Sequence, residues 1–340
     1  MNEAGPLYSS SIVNCVFNAF SAYTAIMLNI LTIHAMRKTS SLPKPLKTLL
    51  LSLSVSDLGV GLLVQPLYIA WMLGPSYSGY SLRTPLNIIA IAYVYASFFS
   101  VVAISVDRFL AIHLHLRYQE LVTHKRAVVV VISIWVFSAL LSSMWLWTSV
   151  DIARHVDIII QGLCFLGTAT VYCKIYFTLR RHIHQIRVLQ IQVGQNTQME
   201  SAMRLKKSAV GMFYVYLVFL GCYLPNYFAL VVSISSALTS HLNTMSSVYI
   251  WLYLLTLQLL NSSLNPVVYC WKMRNVRQSI IDILWNIYLS FSNVSPNWFR
   301  WSFSTWVPEA FHARFLVFTA RVFIKLVLVE QRKKNLWYPG

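Results

Sequence analysis

Seven apolar stretches, each about 20 residues or longer, run through residues 13–271 of this 340-residue chain. A helix needs about 20 apolar residues to cross the bilayer core. The stretches are read at 13–36, 46–73, 84–114, 127–150, 157–181, 207–236 and 244–271. Those that exceed the minimum fit tilted helices reaching past the headgroups. Lipid offers no water to an open backbone, so each span must close its hydrogen bonds internally as a helix. The expected fold is an all-α membrane protein, a seven-transmembrane helix bundle. Composition agrees, because charged residues make up only 11% of the chain, against about 25% in soluble domains. A net charge of +17 would suit nucleic acid, but the basic residues sit in the gaps between apolar stretches. There they read as membrane topology, and no nucleic-acid partner is expected.

Lys and Arg concentrate in alternate gaps. Arg37, Lys38, Lys44 and Lys47 fill the first gap, and Arg117, Lys125 and Arg126 the third. Arg180, Arg181, Arg187, Arg204, Lys206 and Lys207 fill the fifth, and Lys272, Arg274 and Arg277 follow the last stretch. The opposite side has Arg83 and Arg154 near helix ends, with Glu3, Asp151 and Asp157. The positive-inside rule then makes the odd gaps cytoplasmic and the N-terminus extracellular, in a multi-pass plasma-membrane protein. Residues 1–12 read as a short outer N-terminus and 13–271 as the membrane domain. No basic region precedes the first apolar run, which is expected to act as signal and anchor without cleavage.

Residues 272–285 read as an amphipathic helix on the inner membrane face, with Ile280, Ile281 and Leu284 toward lipid and Arg274 and Arg277 at the headgroups. The tail, 286–340, is rich in Trp and Phe. Its apolar stretch 309–329 is interrupted by Arg314, Arg321 and Lys325 at about helical spacing. An interfacial helix, an eighth span and a read-through segment without an evolved role all stay open. The five cysteines, Cys15, Cys164, Cys173, Cys222 and Cys270, lie in or beside apolar stretches without metal-ligand spacing and are expected as free thiols.

Polar residues inside the apolar stretches carry the functional signal. Ser105-Val106-Asp107-Arg108-Phe109 ends the third stretch. On insertion scales a charge near a helix centre costs about 2.5–3.5 kcal/mol, and less toward the ends, so such residues are functional by default. Asp57 lies at mid-membrane depth in the second stretch, where a carboxylate needs a partner or a proton. No Lys or Arg lies at that depth in the other stretches. Asn29, Ser97, Asn261, Ser262 and Asn265 accompany it, and an intramembrane Asn alone is often helix glue. Phe219-Leu220-Gly221-Cys222-Tyr223-Leu224-Pro225 lies in the sixth stretch and Asn265-Pro266-Val267-Val268-Tyr269 in the seventh. Pro225 and Pro266 each remove a backbone donor and kink their helix, as does Pro66 in the second. There is no nucleophile–base set, zinc spacing or phosphate loop, and His113, His115, His182 and His184 lie mostly in loops, so no enzymatic chemistry is expected. A membrane transporter is the alternative. It would show repeats with broken helices at matching positions, and no motif here has a second copy.

The three motifs, in this order and at matching depths, make the chain resemble the class A (rhodopsin-like) G-protein-coupled receptors. Trp135 matches the family's marker in the fourth span. The resemblance implies a receptor that converts binding of an extracellular ligand into activation of a heterotrimeric G protein through outward movement of helix 6. Asp107, Arg108 and Phe109 stand where the family usually has Asp-Arg-Tyr, with Arg108 restrained at rest and freed to meet the G protein. Many members add an acidic restraint in helix 6, where Leu205, Lys206 and Lys207 stand here, so elevated basal signalling is expected. Cys222, Tyr223, Leu224 and Pro225 resemble Cys-Trp-x-Pro, with Tyr for Trp, and Phe219 lies one turn below. Tyr269 is expected to meet Tyr172 through water in the active state. Asp57, Ser97, Asn261 and Asn265 match a sodium pocket, and a protonated Asp57 in a hydrogen-bond network is the alternative.

The bridging Cys at the top of helix 3 is replaced by Arg83 and the helix 5 proline by Cys164. Those absences resemble, loosely, the melanocortin, cannabinoid, lysophospholipid and adenosine receptor grouping. Leu259 stands where retinal proteins need Lys, and Ala90 where amine receptors use Asp. Leu67, Arg83 and Asn87 stand where melanocortin receptors are acidic. The expected ligand pocket is lined by Tyr68, Ala90, Val94, Tyr223, Asn226, Tyr227, Leu230, Trp251 and Leu255, aromatic and apolar, and points to a neutral, lipid-like or small aromatic ligand.

Overall fold

A computed structural model describes residues 4–39, 42–73, 85–114, 117–193, 196–234, 244–273 and 276–284. Glu3, Arg83, Arg274 and the tail 286–340 lie outside them, as do the side chains of Arg187 and of residues 204–207. The helices are α1 (Ala4–Lys38), α2 (Lys44–Gly59), α3 (Gln65–Leu73), α4 (Pro85–Leu114), α5 (Tyr118–Leu121), α6 (His124–Trp147), α7 (Val150–Val193), α8 (Asn196–Ile234) and α9 (Thr244–Lys272). A π-helical turn, Val60–Val64, joins α2 to α3, and both make one second span. The third to seventh spans are therefore α4, α6, α7, α8 and α9. Among the described residues six helices are long and apolar enough to cross a membrane. The seventh span, 29 residues long, carries Gln258, Asn261, Ser262, Ser263 and Asn265 in its second half. The fold is a seven-helix transmembrane bundle.

Contacts divide the chain into Met1–Arg277 and Gln278–Gly340. In the first unit the third span is central and packs on the second, fourth, fifth and sixth, while the seventh packs on the sixth and first. Of the second unit, residues 278–284 are described and helical. Ile280 and Leu284 are buried, not turned to lipid as expected. Within these residues Ile280, Ile283 and Leu284 are buried, Ile281 is half-buried and Asp282 is exposed, so the apolar side chains gather on one face of the helix.

Local chemistry explains the breaks. The first helix ends where Lys47 Nζ donates to the carbonyls of Arg37 (3.1 Å) and Thr39 (3.0 Å), groups a helix C-terminus leaves open. Pro45 in the first turn of α2 lacks only a donor that would be unused there. Pro66 cannot donate to the preceding turn, and the π-helical turn directly before it absorbs the lost register. Thr123 caps the fourth span by accepting from the Arg126 N–H at 3.4 Å. Thr148 turns extended and ends that span, and Ser149 Oγ accepts from the Ile152 N–H at 3.3 Å to start the next. The connection is therefore two residues, shorter than expected. The fifth span begins at Val150, so Asp157 lies two turns inside a helix and not near its outer end.

Polar pairs join the first and seventh spans. Asn18 Nδ2 donates to Thr256 Oγ1 (3.0 Å), which donates to Asn14 Oδ1 (2.6 Å). Deeper, Ser21 meets Ser263 (3.0 Å), and Asn29 Nδ2 donates to the Ser262 carbonyl (3.0 Å). Such pairs hold membrane helices where apolar packing has no solvent to escape.

Candidate functional site: a polar axis through the bundle

At the Lys- and Arg-rich end of the third span, Asp107 and Arg108 are both 4% exposed. Neighbours on a helix do not ordinarily face one another. Here the guanidinium folds back, donating from Nε to Asp107 Oδ2 at 3.0 Å and forming an ion pair through its terminal nitrogen. The other carboxylate oxygen, Oδ1, accepts from the Tyr118 hydroxyl at 2.7 Å. Burial, then the neighbouring Asp107 charge, push the Tyr118 hydroxyl above its ordinary pKa, so it stays a donor. Phe109 stacks on His113 one turn further on, with centroids 5.3 Å apart. Tyr118 escaped the sequence reading. It lies on a four-residue helix eleven positions from its partner, and nothing in its spacing marks it.

Half-way up the bundle, Asp57 is fully buried. Its Oδ1 accepts from Ser97 Oγ and its Oδ2 from Asn265 Nδ2, both at 2.8 Å. Three of the four residues read as a sodium site are thus joined. The fourth, Asn261, is also fully buried, and among the described residues neither atom of its amide has a hydrogen-bond partner. Asn265 Oδ1 and the Tyr269 hydroxyl are in the same condition.

Around Pro225 the sixth span presents an aromatic cluster. Phe219 and Tyr223 stand one turn apart with centroids at 4.7 Å, and both meet Phe98 of the third span, at 5.2 and 5.5 Å. Phe165 of the fifth span joins Phe219 at 5.8 Å and Tyr227 at 5.3 Å. Cys222 is buried behind them, and all five cysteines are free thiols. Tyr172 and Tyr269 are not paired with each other here. The Tyr172 hydroxyl donates to the Met212 carbonyl at 3.1 Å and accepts from Ser105 at 3.2 Å, and its ring stacks on Tyr216 at 4.5 Å.

The residues read as a ligand pocket fall into two groups. Tyr223 and Tyr227 belong to the aromatic cluster. Tyr68 belongs to an apolar core with Cys15, Val60, Met72, Leu252 and Leu259, flanked by Val94 and Leu255. Ala90 and Leu230 are buried, and Asn226 Nδ2 donates to Gln258 Oε1 at 2.7 Å. Trp251 is 36% exposed, and its neighbour Leu252 takes the inward place, its carbonyl accepting from the Tyr68 hydroxyl at 2.8 Å. Sequence reasoning also missed a carboxylate within the bundle. Asp157 accepts from the Tyr95 hydroxyl at 3.2 Å beside Trp145, at a cavity of about 10 Å³, room for one water.

Comparison with known proteins agrees with this architecture. Residues 28–155 match the family model for the 7 transmembrane receptor (rhodopsin family). Adenosine receptor A3 of Ovis aries is 28% identical over 280 residues, 76% of this chain and 86% of that protein. Melanocortin receptor 3 of Rattus norvegicus is 27% identical over 277 residues, 76% of this chain and 81% of that protein. Melanocortin receptor 5 of Ovis aries is 26% identical over 301 residues, 83% and 87% of the two chains. The helix bundle buries an Asp-Arg pair at one end and a carboxylate at its centre, the kind of costly intramembrane charge that marks a functional site. The match over residues 28–155 and these adenosine and melanocortin receptor relatives support a cell-surface G-protein-coupled receptor of the rhodopsin type.

Proposed function

We propose that an uncharged, lipid-like or small aromatic ligand, entering from outside the plasma membrane, shifts a resting–active equilibrium in this receptor. Helix 6 swings outward at Pro225 and opens a cytoplasmic groove for a G-protein α-subunit helix. The observation that carries this reading is the Asp107–Arg108–Tyr118 group, buried at the basic end of the central helix. Arg108, released from Asp107, joins Arg126, Arg180, Lys206, Lys207 and Lys272 as the basic rim of that groove. The Phe98–Phe219–Tyr223 contacts link a ligand on Tyr223 and Tyr227 to the hinge. Leu205 supplies no acidic restraint, so cells expressing the receptor signal above control cells without ligand. Basal signalling no higher than in controls would refute that. The N-terminus faces outward because the basic gaps face the cytoplasm.

The polar centre fits a sodium ion. Asp57 would supply the charge, and Ser97, Asn261 and Asn265 neutral oxygens; the Asn261 and Asn265 acceptors are buried without partners among the described residues. A sodium ion held there would supply the positive charge that neutralises Asp57, and would favour the resting bundle. Exchanging potassium for sodium at constant ionic strength therefore lowers basal G-protein activation severalfold, and Asp57→Asn abolishes that sensitivity. Equal basal activity of the wild-type receptor in both salts would leave Asp57 as a protonated member of the network.

Ligand character has its own test. An agonist found by screening carries no net charge, and Tyr223→Ala or Tyr227→Ala weakens it about tenfold, the scale of one lost aromatic contact. A protonated amine agonist indifferent to both substitutions would overturn the proposed pocket.

A further inference from the structure

Lys272 ends the seventh span between two aromatic rings. Its Nζ lies 3.7 Å from the ring centroid of Tyr214 on the sixth span and 3.4 Å from that of Trp271. The two rings meet nearly edge-on, with centroids 5.1 Å apart. The helices approach closely here because position 211, one turn before Tyr214, is glycine. A Cβ at Gly211 would stand 3.3 Å from Lys272 Cβ.

We propose that Lys272 is a positioning residue for coupling. It clasps the sixth span to the seventh through the Tyr214 ring and holds the resting receptor closed, in place of the acidic restraint absent at Leu205. A ring face attracts an ammonium within about 6 Å of its centroid, and more strongly where water is sparse. Neither of the ion pairs seen among the described residues, Arg108–Asp107 and Arg154–Asp151, involves Lys272.

The clasp rests on the proposed swing at Pro225, and its location suits that motion. Tyr214 lies eleven residues from Pro225, about 16 Å along the helix. A tilt of about 15° at the hinge carries Tyr214 about 4 Å, which takes the ring out of reach of the ammonium. Opening also frees Lys272 for the basic rim. The same side chain that restrains the closed bundle is then presented to the G protein.

The test uses the full-length receptor, with basal nucleotide exchange on a panel of G proteins normalised to surface copies. Tyr214→Leu removes the ring and keeps the cation, and it raises basal exchange about two- to tenfold. Lys272→Arg, whose guanidinium also stacks on aromatic faces, keeps the sixth span in its resting position in the distance measurement that follows. A second readout needs no G protein. With exposed Cys173 replaced by Ser, spin labels at Phe213→Cys and Val128→Cys, both exposed sites, report the distance between the sixth and fourth spans. Tyr214→Leu and Lys272→Gln both increase the long-distance population. Suppose Asp107→Asn raises exchange while Tyr214→Leu changes neither exchange nor the distances. The clasp is then overturned and the hinge stands. If none of these substitutions changes either readout, both are overturned.

Discussion

Asp107→Asn raises ligand-independent G-protein activation by on the order of tenfold. The Asn oxygen still accepts from Tyr118, which keeps its place 2.7 Å from the position 107 side chain. What disappears is the charge that holds Arg108. A hydrogen bond to a charged partner contributes about 1.5–3 kcal/mol, against about 1 kcal/mol for a neutral one. The difference, about 1.4 kcal/mol, is a factor of ten in the equilibrium between held and released Arg108. Tyr118→Phe is the milder test. It leaves the ion pair but strips Asp107 of its second buried partner, so basal exchange rises by about two- to fivefold. Nucleotide exchange in membranes, normalised to receptor number, measures both. If Asp107→Asn is as quiet as wild type, the pair does not restrain Arg108.

Gly59→Ala removes most of the folded receptor. A Cβ at position 59 would stand 2.3 Å from two atoms of the Tyr93 ring, closer than any real contact. The ring cannot step aside. It meets Trp135 edge-on at 5.5 Å, and the Trp135 indole N–H donates to Ser52 at 3.3 Å, back on the second span. Three spans are locked through one aromatic pair. Overpacking a filled site costs about 1–3 kcal/mol, and the clash leaves no smaller adjustment, so surface copies fall about five- to thirtyfold. Gly59→Ala with Tyr93→Leu restores most of that loss by making room. Cell-surface staining and thermal inactivation of the solubilised receptor read both effects. Normal expression of Gly59→Ala alone would mean that the second and third spans pack differently.

The bundle was legible because lipid imposes one strong rule, a long apolar helix, which six of the spans obey outright while the seventh carries polar residues in its second half. Asp57, Asp107 and Arg108 were legible because they break that rule, Asp57 at mid-membrane depth where a charge costs most. The partners that satisfy them were less so. Ser97 and Asn265 follow from the family resemblance, but Tyr118 depends on how a short helix folds back beneath the third span. Span ends were misjudged where sequence lacks punctuation. Between Trp147 and Asp157 there is no Gly or Pro, so the two-residue break at Thr148 and Ser149 rests on hydroxyl caps. That break sets the depth of Asp157. The pocket was only partly legible, because identity alone does not say which side of a helix faces inward. Leu252 and Trp251 are adjacent, and only the former packs in the core. The Lys272 clasp has no sequence signal at all, since its parts are one lysine, two aromatics and a glycine on two helices.

In the proposed mechanism Arg108, held by Asp107 at rest, acts on a G protein when the bundle opens. The most direct measurement is nucleotide exchange on a panel of purified heterotrimeric G proteins, using the receptor and its Arg108→Ala variant in lipid nanodiscs at equal concentration. Wild-type receptor is expected to speed exchange on at least one G protein, and Arg108→Ala to lose about tenfold or more of that acceleration. Equal acceleration by both proteins, or none by the wild-type receptor on any G protein, would contradict the mechanism.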